Sequence, residues 1–142
     1  MARLRTNKTT SLTDQADAVR KTHEQMMAKY GYVIHLVVGD TSSPNNTNYH
    51  THGLPEKCGH ADLQICLNIK PELAQDILNG AVELIEEGQK FEAGKEYDRV
   101  LGGGYKVKFI EAMESNRPVL RLVIPNPEGK FTGSPYADQL IV

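Results

Sequence analysis

Apolar side chains recur at spacings of three and four residues in two segments, and each segment ends at a glycine, Gly31 or Gly88. The first stripe, which follows Ser11 as a potential N-cap, consists of Leu12, Ala16, Val19, His23, Met26, Met27 and Tyr30. The second stripe, which follows Pro71, consists of Leu73, Ile77, Leu78, Ala81, Val82 and Ile85. This periodicity predicts two amphipathic helices, each stopped by its glycine.

Shorter segments have the alternation or the β-branched content of strands. They are residues 32–38, 48–54, 61–69, 105–113 and 119–124. We predict that residues 55–59 form a turn, so that the second and third strands make a hairpin. The element order α-β-β-β-α-β-β joins only one pair of strands through a helix, which disfavours a doubly wound parallel sheet. We therefore expect an α+β fold with two helices and a mainly antiparallel sheet of about five strands.

The length of 142 residues fits one domain of ordinary size. Residues 1–10 are polar and basic without an apolar core, so we expect a flexible arm there rather than a secretory signal, and a single domain over 11–142. No apolar run approaches the roughly 18 residues that a membrane helix needs. The two cysteines form no Cys-x-x-Cys pair, which favours a reducing, cytoplasmic location.

The charge distribution argues against nucleic acid as a partner. The net charge is −2, and residues 71–96 carry seven acidic and two basic side chains, 2 − 7 = −5. The only basic cluster, Arg3, Arg5 and Lys8, is too small to anchor a duplex. The acidic face of the second helix is either solvated surface or a docking face for a basic partner, and its carboxylates are those of Glu83, Glu86, Glu87 and Glu92.

Three of the five histidines lie close together in the sequence, beside a cysteine and an aspartate. On a strand, His50 and His52 point to the same face, and the following turn could bring Cys58, His60 or Asp62 over it. Two imidazoles with a thiolate or carboxylate suit zinc and leave a fourth position for water. The alternative interpretation is a polar strand face, because His-x-His alone is a weak motif.

Two further candidates for catalysis stand in the same stretch. The imidazole of His60 suits a general acid or base, or else hydrogen-bonds the turn and orders the next strand. Cys58 lies near His60 as a candidate nucleophile, although no orienting third residue can be assigned.

Arg99, Arg117 and Arg121 would form an anion site only if the last strands bring them together.

Four blocks of the sequence resemble a bacterial family catalogued as domain of unknown function 4262. The blocks are NYHTHGL, GHADLQICLNI, PELAQDILNGAVELIEEGQKFEAG and VLRLVIPNPEGKF. Members typically carry Tyr-Thr-x-Gly-Leu, Gly-His-Pro-Glu-Leu and Gly-x-x-Phe, which correspond here to residues 50–54, 59–63 and 88–91. His50 stands in place of the tyrosine, and Ala61-Asp62 in place of Pro-Glu. The resemblance implies no activity.

A fainter similarity links the strand pattern to suppressor-of-fused-like domains, some of which look like immunity proteins against bacterial toxins. It favours a non-catalytic binding or regulatory protein, with a protein partner or a second copy of itself as the ligand. The alternative function is a metal-assisted hydrolase with zinc on His50, His52 and His60. An exposed sheet edge would suit a homodimer.

Overall fold

The computed structural model describes residues 12–41 and 43–142. The predicted arm over residues 1–10 and the predicted cap at Ser11 lie outside the described residues. The α-helices are α1 (Leu12–Tyr30), α2 (Leu54–Cys58) and α3 (Pro71–Glu86), and a 3-10 helix covers Ala137–Leu140. The strands are β1 (Val33–Val38), β2 (Thr47–His52), β3 (Leu63–Ile65), β4 (Glu96–Tyr97), β5 (Val107–Glu114) and β6 (Arg117–Val123). No helix in the described ranges is both long and apolar enough to cross a membrane.

The strands of the described chain form one six-stranded sheet in the order β1-β2-β3-β6-β5-β4. Every neighbouring pair is antiparallel except β3 and β6, which run parallel because α3 and β4–β5 separate them along the chain. The α+β class and the mainly antiparallel sheet are therefore confirmed. The sixth strand, β4, was not predicted because two residues are too few to show a periodicity.

The predicted turn at residues 55–59 is wrong in detail, since the chain forms the helical turn α2 there. Pro55 occupies the first turn, where its missing N–H costs no hydrogen bond. Gly59 ends the helix in the left-handed conformation, and its N–H donates to the Pro55 carbonyl at 3.0 Å. Proline and glycine four residues apart fit a loop and a short helix equally well, so the sequence does not separate the two.

The core lies between α3 and one face of the sheet. From α3 it takes Ala74, Ile77, Leu78, Ala81, Val82, Leu84 and Ile85. Tyr49, Leu63, Phe109 and Leu122 from the strands pack against them, whereas Leu73 of the predicted stripe is 49% exposed. Because strand side chains alternate, His50 points to the opposite face from its neighbour Tyr49.

The opposite face carries a buried arginine that fastens the C-terminal segment. Arg121 is 3% exposed; its Nε donates to Gln64 Oε1 at 2.8 Å, and its Nη1 donates to the carbonyls of Gln139 and Ile141. Gln139 in turn bonds the backbone N–H and carbonyl of Ile124. The tail, which has no usable sequence period, is thus ordered by polar contacts.

The predicted stripe of α1 is largely exposed. The helix lies beside β1, and residues 16–22 are all exposed, with Val19 at 54%. Of the stripe residues from Ala16 onwards, His23 and Met27 are half-buried and the others are exposed. Periodicity alone cannot show that the structure leaves residues 16–22 uncovered.

Gly53 permits the close approach of α1 to the end of β2. Its φ is 121°, and a Cβ there would lie 2.7 Å from the carbonyl oxygen of Gly31. We expect Gly53→Ala to destabilise the fold by about 2 kcal/mol or more, because backbone strain and this clash add. Gly59→Ala is the matched control, since Gly59 has a φ of 69° with open space around it. Urea unfolding of both variants checks this, and equal losses would contradict the role of the clash.

Candidate functional site

The family-like residues at the end of β2 and before β3 form one hydrogen-bonded cluster around Asp62. The carboxylate is 1% exposed; its Oδ1 accepts from Thr51 Oγ1 at 2.8 Å and from the Leu54 N–H at 3.0 Å. Thr51 Oγ1 also accepts from the Leu63 N–H at 2.9 Å. Asp62 therefore links the start of α2 to β2. This aspartate was predicted as a metal ligand, and its carboxylate accepts hydrogen bonds from Thr51 and Leu54.

Arg117 at the start of β6 completes this cluster. Its Nη1 donates to Asp62 Oδ2, its Nη2 to the Thr51 carbonyl at 2.9 Å, and its Nε to Glu114 Oε1 at 3.0 Å. Burial disfavours the charge of Glu114, but Ser115, His50 and Arg117 together hold the pKa of its carboxyl below 4.5. The sequence signal for Arg117 was weak, because two of its partners, Asp62 and Thr51, are 55 and 66 residues away along the chain.

His60 connects two of the family-like motifs. Its Nδ1 lies 2.8 Å from the Ala61 carbonyl, and its Nε2 accepts the Phe91 N–H at 3.1 Å. A carbonyl only accepts and an amide only donates, so these contacts require the neutral ring with its proton on Nδ1. The ring also packs edge-on against Phe91. Both nitrogens are engaged, which supports the structural interpretation of His60.

Cys58, the candidate nucleophile, is exposed, and its thiol donates to the Leu54 carbonyl at 3.4 Å. Its contact is thus with the backbone of its own helix. Because both nitrogens of His60 bond the backbone, the structure gives Cys58 no base in that residue. The catalytic roles assigned to His60 and Cys58 stay predictions.

His50 is buried at 4% exposure between two acceptors. Its Nδ1 lies 3.2 Å from Asn48 Oδ1, and its Nε2 lies 3.4 Å from Glu114 Oε1. Burial lowers its pKa from 6.5 to about 4, and His35 and Arg117 act in the same direction against Glu114 and Asp62. The lowered pKa favours the neutral ring, which carries one N–H and can donate to only one of these two acceptors.

Two histidines that are isolated in the sequence extend a stack on His50. His35 pairs with His50 across β1 and β2, with ring centroids 5.1 Å apart. His23 of α1 lies 4.5 Å from His35, and the exposed His52 lies 5.9 Å from it. Burial, with His23, His52 and the charge of Arg117, lowers the pKa of His35 against the effect of Glu114. Sequence spacing could not have paired a helix residue with a strand residue.

The predicted zinc ligands are distributed over different contacts. His50 and His52 belong to the histidine stack, His60 bonds the backbone at Phe91, and Asp62 binds Arg117. Among the described residues, no group of three or more histidine, cysteine or acidic side chains could hold a metal ion. Zinc binding and metal-assisted hydrolysis therefore stay predictions without geometric support here.

The three arginines considered as an anion site lie in separate networks. Arg99 pairs with Glu87 at the surface, at 3.4 Å. Arg117 binds Asp62 and Glu114, whereas the contacts of Arg121 are to an amide and to carbonyls. The last strands thus do not join them into one site.

A groove of about 770 Å³ opens between α1 and α3, beside the start of β1. We call it the α1–α3 groove. Its lining residues are Thr22, His23, Met26, Lys29 and Tyr30 of α1, Tyr32, Val33 and Ile34, Lys57 of α2, and Gln75, Asn79, Glu83 and Glu86 of α3. The volume lies within the range of small-ligand and peptide sites.

The two walls of this groove differ in chemistry. The α1 wall presents Met26 and Tyr30, which are 43% and 46% exposed. The α3 wall presents two carboxylates, those of Glu83 and Glu86, and no basic residue. Glu86 pairs with Lys57 at 2.9 Å, but Glu83 forms no salt bridge within the described residues. Burial and the charges of Glu86 and Glu83 raise the pKa of Tyr32, whose hydroxyl donates to Asn79.

Comparison with protein-family models matches residues 26–119 to a domain of unknown function, DUF4262. The match covers more than half of the chain and includes the Asp62 cluster and the His60–Phe91 contact. The C-terminal block from residue 120 onwards lies beyond the match. Comparisons with curated proteins and with solved structures gave no match.

Proposed function

The chain belongs to the DUF4262 family, and for it we propose a non-catalytic protein-binding function. The binding site is the α1–α3 groove. Its ligand is a short amphipathic segment of another protein, with apolar side chains toward α1 and basic side chains toward α3. The observation that carries this proposal is the groove itself, since it combines the exposed side chains of Met26 and Tyr30 with the carboxylate of Glu83, which forms no salt bridge with the residues that the structure describes.

Charge complementarity selects the chemistry of this ligand. Two carboxylates, Glu83 and Glu86, and two lysines, Lys29 and Lys57, line the groove; Lys57 pairs with Glu86, and Glu83 forms no salt bridge with the described residues. A lysine or arginine of the ligand would reach Glu83 without displacing an internal partner. An apolar side chain between Met26 and Tyr30 would remove surface from water, which is worth about 25 cal/mol per Å².

The residues with the most catalytic chemistry in the sequence support this proposal indirectly. His60, Asp62 and Arg117 each use their polar atoms to join strands and loops. Among the described contacts of these residues, no nucleophile is hydrogen-bonded to a base. An immunity role, expected from the fainter similarity, would fit if the toxin presents a basic amphipathic segment.

Selection from a displayed library of random 16-residue peptides tests the proposal. We expect the enriched peptides to combine regularly spaced Leu, Phe or Met with Lys or Arg. Their affinity should fall at least about tenfold on Glu83→Lys and on Met26→Asp, because these changes reverse one wall and charge the other. Glu111→Lys on β5 is the matched control, since Glu111 is exposed and lies outside the groove.

Peptides that bind Glu83→Lys as tightly as the wild type would contradict the assigned groove, as would a library without enrichment. Light scattering of the purified protein tests a second copy as the occupant. A dimer that dissociates on Met26→Asp would assign the groove to self-association and overturn the proposed ligand.

A further inference from the structure

Three histidines form a continuous stack that joins α1 to the sheet. His23 of α1 packs on His35 of β1, which packs on His50 of β2. We infer that this stack is an acid-sensitive latch, which holds α1 against β1 at neutral pH and releases it on protonation. Its effect on ligand binding rests on the proposed function, because α1 is one wall of the groove. The latch itself needs no ligand.

The described part of α1 has few other attachments. Residues 16–22 are all exposed, so this stretch of the helix contributes no buried side chain. Beyond His23, the half-buried Met27 approaches Gly53, with its Cε 3.0 Å from the position of a Cβ there. A helix held by so small a contact area is the element whose position a few charges can change.

Burial is the largest effect that favours the neutral form of His35 and His50, and the charges around the stack act in both directions. His35 faces His23, His52 and Arg117, which oppose a positive charge on its ring, and Glu114, which favours one. For His50, the charges of His35 and Arg117 oppose a positive charge on the ring, and those of Glu114 and Asp62 favour one. Both carboxylates are already paired with Arg117. Protonation of His23 and His35 would therefore place two like charges with centroids 4.5 Å apart.

The direction of the pH effect follows from the lowered pKa values of His35 and His50. A histidine whose pKa is lower in the closed form favours that form above its ordinary pKa of 6.5. As the pH falls from 6.5 toward 4, the open form binds protons first and is favoured. Because His23 also lines the groove, opening the latch displaces part of the binding surface.

Hydrogen exchange followed by mass spectrometry tests the latch without any ligand. Rates are corrected for the intrinsic pH dependence of exchange. We expect protection of the amides of α1 to fall about tenfold or more between pH 7.5 and 5.5, while the amides of α3 stay protected. His23→Phe and His35→Phe keep an aromatic ring in the stack but carry no proton, so each should retain the protection of α1 at pH 5.5.

Unchanged protection of α1 in the wild type, or an equal loss in both phenylalanine variants, would overturn the latch. A parallel loss in α3 would show global unfolding instead and would also overturn it. The peptide selection at pH 7.5 is independent of these outcomes. Its failure would remove the proposed function alone, and failure of the exchange experiment would remove the latch alone.

Discussion

Replacing Asp62 with alanine is expected to destabilise the fold by about 3 to 5 kcal/mol, the usual cost of removing one partner of a buried ion pair. The variant would leave the guanidinium of Arg117 without one of its two carboxylates. It would also leave the hydroxyl of Thr51 and the N–H of Leu54 without their acceptor. Urea unfolding at pH 7 with circular dichroism measures the loss.

Asp98→Ala is the matched control for that substitution, because Asp98 is an exposed aspartate outside the cluster. Its free energy of unfolding should stay within about 0.5 kcal/mol of the wild type. Asp62→Glu should recover part of the stability, since glutamate stands at this position in the family motif Gly-His-Pro-Glu-Leu. A loss below about 1 kcal/mol for Asp62→Ala would contradict the organising role of the carboxylate.

The second large effect is a loss of stability at acid pH that depends on His50. Its pKa is lowered from 6.5 to about 4, so its contribution is present above pH 6.5 and decreases as the pH falls toward 4. Between pH 7 and pH 5 this amounts to on the order of 2 kcal/mol, because the unfolded chain binds the proton that the folded chain excludes. The lowered pKa of His35 acts in the same direction.

Paired urea titrations at pH 7 and pH 5 check this for the wild type and for His50→Phe, which keeps a buried ring without a titrating nitrogen. The variant should lose less stability than the wild type between the two values. His52→Ala is the control, because the side chain of His52 is exposed. This variant should keep the loss of stability between pH 7 and pH 5 that His50 causes. Identical pH dependence in His50→Phe would refute the assignment to His50.

Local patterns were sufficient to predict the elements that bury a continuous face. The structure has the α3 stripe, apart from the exposed Leu73, and it has strands β1 and β2 within two residues of the predicted bounds. The family-like blocks were also informative, since they meet in space around Asp62 and His60. Their chemistry suggested ligands and catalysts, and the structure shows Asp62 and His60 buried and hydrogen-bonded within the fold.

The remaining features depend on distances that a sequence does not specify. His23 and His35 are twelve residues apart and belong to different elements, yet their rings are adjacent. The exposure of the α1 stripe and the groove beside it arise from how far the helix stands from α3. Gln139 is fully buried although glutamine is usually a surface residue, because its side-chain oxygen accepts the N–H of Ile124 and its side-chain nitrogen donates to the carbonyls of Ile124 and Tyr136.

These observations separate the molecule into a framework and a surface. The framework is the set of contacts around Asp62, Arg117 and His60, and its variants should affect stability. The surface is the α1–α3 groove, and its exposed residues Met26 and Glu83 should affect binding with little change in stability. The histidine stack connects the two, since His23 belongs to the groove and His50 contacts Glu114.

Nuclear magnetic resonance shows directly whether the α1–α3 groove is the binding site. The backbone amide shifts of the ¹⁵N-labelled protein would be followed at pH 7.5 during titration with the best library peptide. If the peptide binds in the groove, the largest changes in amide shift belong to residues 22–34 of α1 and β1 and to residues 75–86 of α3. Largest shifts around His50, Glu114 and Arg117, with the groove unchanged, would contradict it and move the site to the histidine and arginine cluster.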